Sequence, residues 1–364
     1  MADILLEETS PLGNIVAVVE DDGRVVYFYL HFPNTDEDDP QRMKVCWVRN
    51  RAAAPARLDK AVMKRGDPPL MPAAHCVDPG PGQPLKSDAL RIVWLEECDA
   101  AALLEHNEPV AIVPWWSGMG DFSGYARDCI GEGPFAWELG PDNAMHERID
   151  AAIEFWNLWD DEDFWQRWRD ERITAIEKTL GEHSKYYAID GDEFPPKAML
   201  RFDLPDRYVF ITVGVSLFCL PKVDHYFDDP SPYRRIELAA AVDRQCPEAD
   251  VERVGQYLSA QARYPWNHFV PLGQGHTMPC DSIPSMFDLK RFDSVLFSQT
   301  MPGTPQLQLP DFRGDRTNVL WLVPISQRER DFAQKAGSGV LEQQLIRAGT
   351  TVVMRARKEL ALHS

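Results

Sequence analysis

The chain is short of positive charge: 38 Lys and Arg stand against 57 Asp and Glu, for a formal net charge of −19. Like charges repel over a screening length of about 8 Å in physiological salt, so phosphate backbones and anionic lipid surfaces are excluded as unassisted partners. Paired cysteine spacing is also missing. The seven cysteines, Cys46, Cys76, Cys98, Cys129, Cys219, Cys246 and Cys280, form an odd, scattered set without a C-x-x-C. This excludes a disulfide framework and a zinc knuckle, and the cysteines read as reduced, mostly buried thiols. No stretch approaches the roughly 20 apolar residues needed to cross a bilayer. The opening MADILLEETS lacks the basic region and apolar run of a secretory signal, so a cytoplasmic location is expected. Gly273-Gln274-Gly275 is followed neither by a third glycine nor by Lys-Ser/Thr at phosphate-cradling offsets, and no cofactor is expected. Internal repeats and sustained heptads are absent as well.

Against these absences stand 364 residues, enough for two domains, with 44% apolar and 26% charged residues and eleven Trp. Ile15 to Val19 and Val25 to Phe32 flank a turn carrying Asp22-Gly23 and read as a hairpin that starts the protein. The acidic Thr35 to Pro40 tract reads as a solvated loop. Met43 to Val48, Leu90 to Leu95 and Val110 to Trp116 are further strands, and Asp99 to Leu104 reads as a short helix. The Pro- and Gly-rich Asp67 to Pro84 reads as a mobile surface loop. Ile149, Ile153, Trp156 and Trp159 share one helical face; Trp165, Trp168, Arg172, Ile176 and Leu180 continue in a second helix. The Asp160 to Asp163 run between them suits an N-cap and first turn, and Gly181 a stop. Strands are expected at Arg201 to Leu204, Tyr208 to Leu220 (one long strand or a pair), Ile236 to Val242, Asn318 to Ile325 and Thr351 to Arg355. Helices are expected at Ala249 to Tyr264 and, broken near Gly337, at Gln327 to Ala348. The fold class is α+β: a β-rich domain of open role at 1–140, a Trp-rich helical segment at 141–182, and a mixed domain at 183–364.

Few residues offer chemistry. Gly214-Val215-Ser216 opens like a G-x-S-x-G nucleophile elbow, but the second glycine that permits the tight turn is Phe218. A structural serine is the better reading. His268, His276, Cys280 and Asp281 are zinc-ligand types at spacings that match no zinc pattern, and no metal is expected. Trp115, Trp116 and the glycines after them form either a recognition surface or, preferably, a loop folded onto the core. The acid runs at Asp36 to Asp39 and Asp160 to Asp163, with the pair Asp228 and Asp229, lack calcium-loop spacing and read as solvated faces or caps. An exposed acidic edge is nevertheless what a basic partner would seek.

Six short pieces in order connect the C-terminal half to a known family. They are TVGVS (Thr212 to Ser216), IEL (Ile236 to Leu238), ARYP (Ala262 to Pro265), GQGHT (Gly273 to Thr277), LWLVPIS (Leu320 to Ser326), and the segment from Glu329 through Ala333 and Gly337 to Leu341. Together they resemble the Suppressor of fused domain, over about 150 residues from Tyr208 to Lys358. The resemblance implies a mixed α/β sandwich that binds protein and has no catalytic role. Gly214, Ser216, Glu237, Pro265, Gly275, His276, Thr277 and Pro324 are then family-motif residues of structural kind. The animal member grips a short extended peptide against a sheet; this chain is more similar to bacterial members, which are associated with polymorphic toxin systems as immunity proteins.

The expected function is therefore toxin neutralisation by direct binding, with a basic toxin or an extended peptide as partner and no nucleic acid or membrane. The alternative is a regulatory scaffold that sequesters a host protein. The region Tyr208 to Phe218 is the expected sheet edge for strand addition. Tyr208, Phe210, Thr212, Asp228, Asp229, Trp115 and Trp116 are the expected partner-binding residues.

Overall fold

The computed structural model describes residues 2–33, 42–280 and 292–362; the acidic tract at Thr35 to Pro40 and the metal candidate Asp281 lie outside them. The chain divides into two compact units, Met1–Asp161 and Glu162–Ser364. Among the described residues no helix is long and apolar enough to cross a membrane.

The first unit opens with an antiparallel meander of β1 (Asp3–Thr9), β2 (Val16–Asp21), β3 (Val25–His31) and β4 (Met43–Asn50). The hairpin between β2 and β3 forms because Gly23 takes φ +81° while the carboxylates of Asp21 and Asp22 accept the amides of Gly23, Arg24 and Val25. That hairpin does not start the protein. β1 precedes it, exposed along most of its length, and its acidic DILLEET composition hides the strand from periodicity.

After the short α1 (Lys60–Lys64) comes a second sheet of β5 (Leu90–Trp94), β6 (Ala101–Glu105), β7 (Glu108–Val113), β8 (Tyr125–Ala126) and β9 (Trp137–Glu138). β6 corrects the helix expected at Asp99 to Leu104. Its Ala-Leu composition favours helix locally, but pairing with β5 and β7 and burial on both faces override propensity. The loop around Asp67 to Pro84 is likewise tied down rather than loose: Met71 is buried, its amide and carbonyl bond the Asn50 side chain, and the backbone at Cys76 pairs antiparallel with that at Cys129, both thiols being free. α2 (Met145–Asn157) lays Met145, Ile149 and Ala152 on Val93, Ala102, Leu104 and Ile112.

The second unit starts with α3 (Phe164–Leu180), so the helical pair read from the sequence as one segment is divided between the units. Asp163 holds the N-cap position without a side-chain capping bond, and Gly181 ends the helix at φ +84°. The strands are β10 (Lys185–Ala188), β11 (Ala198–Asp203), β12 (Arg207–Val213), β13 (Arg235–Asp243), β14 (Thr277–Pro279), β15 (Ser294–Ser298), β16 (Thr317–Ile325) and β17 (Val353–Met354). They form one sheet in the order β10-β11-β12-β13-β16-β15-β14, with β17 also paired to β13. β13 runs parallel to β16 and β17, and the other ladders are antiparallel. The helices are α4 (Glu248–Gln261), α5 (Tyr264–His268), α6 (Gln327–Ala336) and α7 (Ser338–Arg347). α6 begins at a capping box of Ser326 and Glu329, and Gly337, at φ +96°, separates it from α7.

The strand expected over Tyr208 to Leu220 ends at Val213. Gly214 takes φ +117°, and Val215 to Leu217 form one 3-10 turn. β12 lies between β11 and β13, so it is no edge. The loop-rich stretch after α5 contains β14 and β15, of which β15 is buried throughout; five residues between Pro-rich segments were too short to register as a strand.

α4 reaches the sheet through Gly255, where an added Cβ would stand 3.0 Å from Phe210 Cε1 and 3.2 Å from Met199 Cε. Removing a helical glycine ordinarily gains about 1 kcal/mol. Forcing a large side chain into a filled core costs about 1 to 3 kcal/mol, which here outweighs the gain. Gly255→Leu is expected to lower the urea midpoint at unchanged slope; a raised midpoint contradicts this packing.

Candidate functional site

The family-like motifs of the second unit converge on its interior. Arg235 and Glu237 stand two residues apart on β13 and so share one face, and both are buried. Together they grip the turn that follows β12. Glu237 Oε1 accepts the Gly214 amide at 3.0 Å, the Ser216 amide at 3.1 Å and the Ser216 hydroxyl at 2.6 Å. Its Oε2 accepts the Thr212 hydroxyl at 2.6 Å. Arg235 Nη1 donates to the carbonyls of Ser216 (3.1 Å) and Leu217 (2.9 Å), and its Nε donates to buried Asp315 at 3.0 Å. TVGVS and IEL are thus two sides of one network in which both donors and acceptors of the turn are satisfied.

Ser216 is therefore no elbow nucleophile in form: it is buried, and its hydroxyl points at a carboxylate. Burial raises the Glu237 pKa above its ordinary 4.5, against the opposing pull of the Ser216, Thr212 and Gly214 bonds. Beside this turn, burial holds the Lys197 ammonium, which donates to Pro195 O, down to about 7. A Cβ on Gly214 would stand 2.8 Å from Pro196 O and 3.1 Å from Lys197 Cα, a second reason for glycine there.

The remaining motifs are spread through the same domain. Gln274 of GQGHT donates to Glu342 of α7 at 2.8 Å, and the Gly275 amide bonds Phe297 O on β15. Gly275 has φ +86° and faces the Ser338 side chain closely. Pro265 is buried at the start of α5. In LWLVPIS the Pro324 carbonyl accepts from Arg357, whose guanidinium also pairs with buried Glu329 at 2.6 Å. These residues hold elements together.

Most of the expected partner-binding residues are also structural. Phe210 and Thr212 are wholly buried, and the guanidinium groups of Arg201 and Arg244 lie over the Tyr208 ring at 4.7 and 4.2 Å from its centroid. Strand addition is closed off along Tyr208 to Val213 by β11 and β13, and Val215 to Phe218 are buried beyond the strand. Trp115 and Trp116 pack on the first unit's core, with ring centroids 5.5 Å apart. Only Asp228 and Asp229 are exposed. His268 lies at 4.3 Å from the Tyr264 ring, while His276 is in the turn before β14. Among the described residues no group of three or more His, Cys, Asp or Glu is arranged to hold a metal.

What sequence reasoning missed is a groove of about 900 Å³ lying wholly within the second unit. Its apolar wall comes from the loop between the gripped turn and β13, where Tyr226 is 63% exposed, Tyr233 47% and Phe227 41%. Phe227 and Tyr233 stack at 3.9 Å with their planes 19° apart. Tyr264, His276, Thr277, Met278 and Gln334 contribute other walls. Large aromatics left in water beside a concave surface mark a binding site more often than a folding residue. The aperiodic HYFDDPSPY stretch, His225 to Tyr233, was the available signal, because so many aromatics in a turn-rich loop cannot all reach a core.

A mixed α+β domain whose motif residues satisfy its interior, and whose open groove is aromatic, has the make-up of a binding domain. The family model for Suppressor of fused protein matches residues 195–358, from before β11 to beyond β17, so this part of the chain is a Suppressor of fused domain, a protein-interaction module. The match contains all six motif pieces and the groove. No curated protein and no solved structure gave a match.

A carboxyl whose folded pKa stands above its unfolded value contributes stability that is complete below the unfolded value and is lost as pH rises through the folded one. Glu237→Gln removes this titration and keeps one acceptor oxygen for the Gly214 and Ser216 donors, while its NH2 must donate to the Thr212 hydroxyl instead of accepting from it, so relative to the parent the variant should gain as pH rises above 4.5. Ser216→Ala, which deletes a hydroxyl bonded to a buried carboxyl, is expected to cost about 1.5 to 3 kcal/mol in denaturant unfolding. A Ser216→Ala chain as stable as the parent contradicts the network.

Proposed function

We propose that this chain is a binding protein without catalytic activity that captures another polypeptide in the aromatic groove of its Suppressor of fused domain. The single observation that carries this reading is the exposed aromatic loop over a cavity of about 900 Å³. Pockets of that size suit a side-chain-bearing segment, and Tyr and Phe give large contact area at little entropy cost. The sheet's own edges are poor templates by comparison: β10 has four residues, and β14 has three and carries Pro279, which cannot donate.

The net charge of −19 favours a partner that is basic overall, because steering by opposite charge raises association rates by about 10 to 1000-fold. Asp228 and Asp229 place two of those charges on the aromatic loop. A cationic toxin neutralised by stoichiometric binding in the cytoplasm fits this chemistry, as does the likeness to bacterial members of the family. Occlusion of the toxin by a bound acidic protein needs no bond made or broken.

The test is co-expression with any basic toxin domain found encoded beside the chain. Growth should be restored and the pair should elute as one species on size exclusion. Phe227→Ala with Tyr233→Ala should weaken the complex by at least about tenfold, since aromatic anchors commonly carry 1 to 4 kcal/mol. The same exposed substitutions should leave folding stability within about 0.5 kcal/mol. Protection that survives the double variant undiminished would place the interface elsewhere.

A further inference from the structure

Among the described residues, Arg316 is the one Arg, Lys, Asp or Glu side chain that lines the groove. Every other wall is aromatic, aliphatic or neutral, apart from His276, whose loss of solvent lowers its pKa from the ordinary value and so keeps it uncharged at neutral pH. The Arg316 side chain is exposed and has no ion pair among the described residues. Its backbone, in contrast, is fixed on three sides. Asp315 is held by Arg235 at 3.0 Å, Thr317 is in register with Arg235 on β13, and the Arg316 amide donates to Ser231 O at 3.2 Å. A guanidinium on so fixed a base, open in a groove and with no carboxylate partner among the described residues, is preorganised to receive an external one.

We propose that the groove takes an extended peptide segment carrying one acidic side chain, which pairs with Arg316 while a neighbouring apolar side chain packs on the Phe227–Tyr233 stack. This rests on the groove being the docking surface. A single carboxylate fits better than a polyanion, because the chain's charge of −19 and the adjacent Asp228 and Asp229 repel accumulated negative charge. A partner that is basic overall with one acid in the docked segment satisfies both fields: the net charges bring the molecules together, and Arg316 fixes the register.

Selection of a phage-displayed random dodecamer library on the full chain tests this, followed by binding of the enriched peptides as synthetic molecules. Enriched sequences should share one Asp or Glu beside an apolar or aromatic residue. Affinity should fall at least about tenfold on Arg316→Glu, and equally when the peptide's acid is replaced by its amide. A peptide with Lys in place of that acid should prefer the Arg316→Glu chain to the parent. Peptides that need Phe227 and Tyr233 but are indifferent to Arg316 would overturn the carboxylate assignment and leave the groove as docking surface. No enrichment, or peptides indifferent to all three residues, would overturn both.

Discussion

One buried carboxyl organises the binding domain. Glu237 gathers the Thr212 and Ser216 hydroxyls and the amides of Gly214 and Ser216, so the chain leaving β12 must turn sharply at Gly214 before it can reach water. Arg235, on the same face of β13, takes the carbonyls that this turn would otherwise strand, and then reaches across to Asp315 at the head of β16. A polar cluster of this kind is tolerated in a core only when nearly every donor and acceptor is met. The groove inherits its walls from that requirement. The aromatic loop begins where the gripped turn ends, and Arg316 follows the aspartate that Arg235 anchors.

Much of this fold was legible because its elements obey strong local rules. The Asp22-Gly23 hairpin, the glycine stops at Gly181 and Gly337, and the apolar runs of β13 and β16 all appear in the structure where pattern and turn chemistry put them. The errors have physical causes. β6 is built from helix-favouring Ala and Leu, and only its neighbours make it a strand. β1 is too polar to show an apolar face, and β15 is too short to show a period. Running Tyr208 to Leu220 together as strand overlooked that Gly214 sits where a left-handed turn is needed.

The site was less legible than the fold for a related reason. TVGVS and IEL were recognisable as family pieces, yet nothing in one dimension says that Thr212, Gly214 and Ser216 meet Glu237, or that Phe210 faces α4 instead of a partner. Exposure is a tertiary property. The groove residues Tyr226, Phe227, Tyr233 and Arg316 come from segments without periodicity, and only the sheet order brings the loop before β13 next to the start of β16. Their chemistry also refines the inference from composition: the molecule is acidic overall, but among the described residues this groove is lined by neutral side chains and one arginine.

On the proposed reading, the domain presents its aromatic groove to another polypeptide. Hydroxyl-radical footprinting of the full chain, alone and saturated with a polypeptide it binds, tests it most directly. The account predicts that oxidation of Tyr226, Phe227 and Tyr233 is suppressed in the complex, while exposed Tyr186 on β10, away from the groove lining, keeps its free rate. A saturated complex in which those three aromatics oxidise as fast as in the free chain would contradict it.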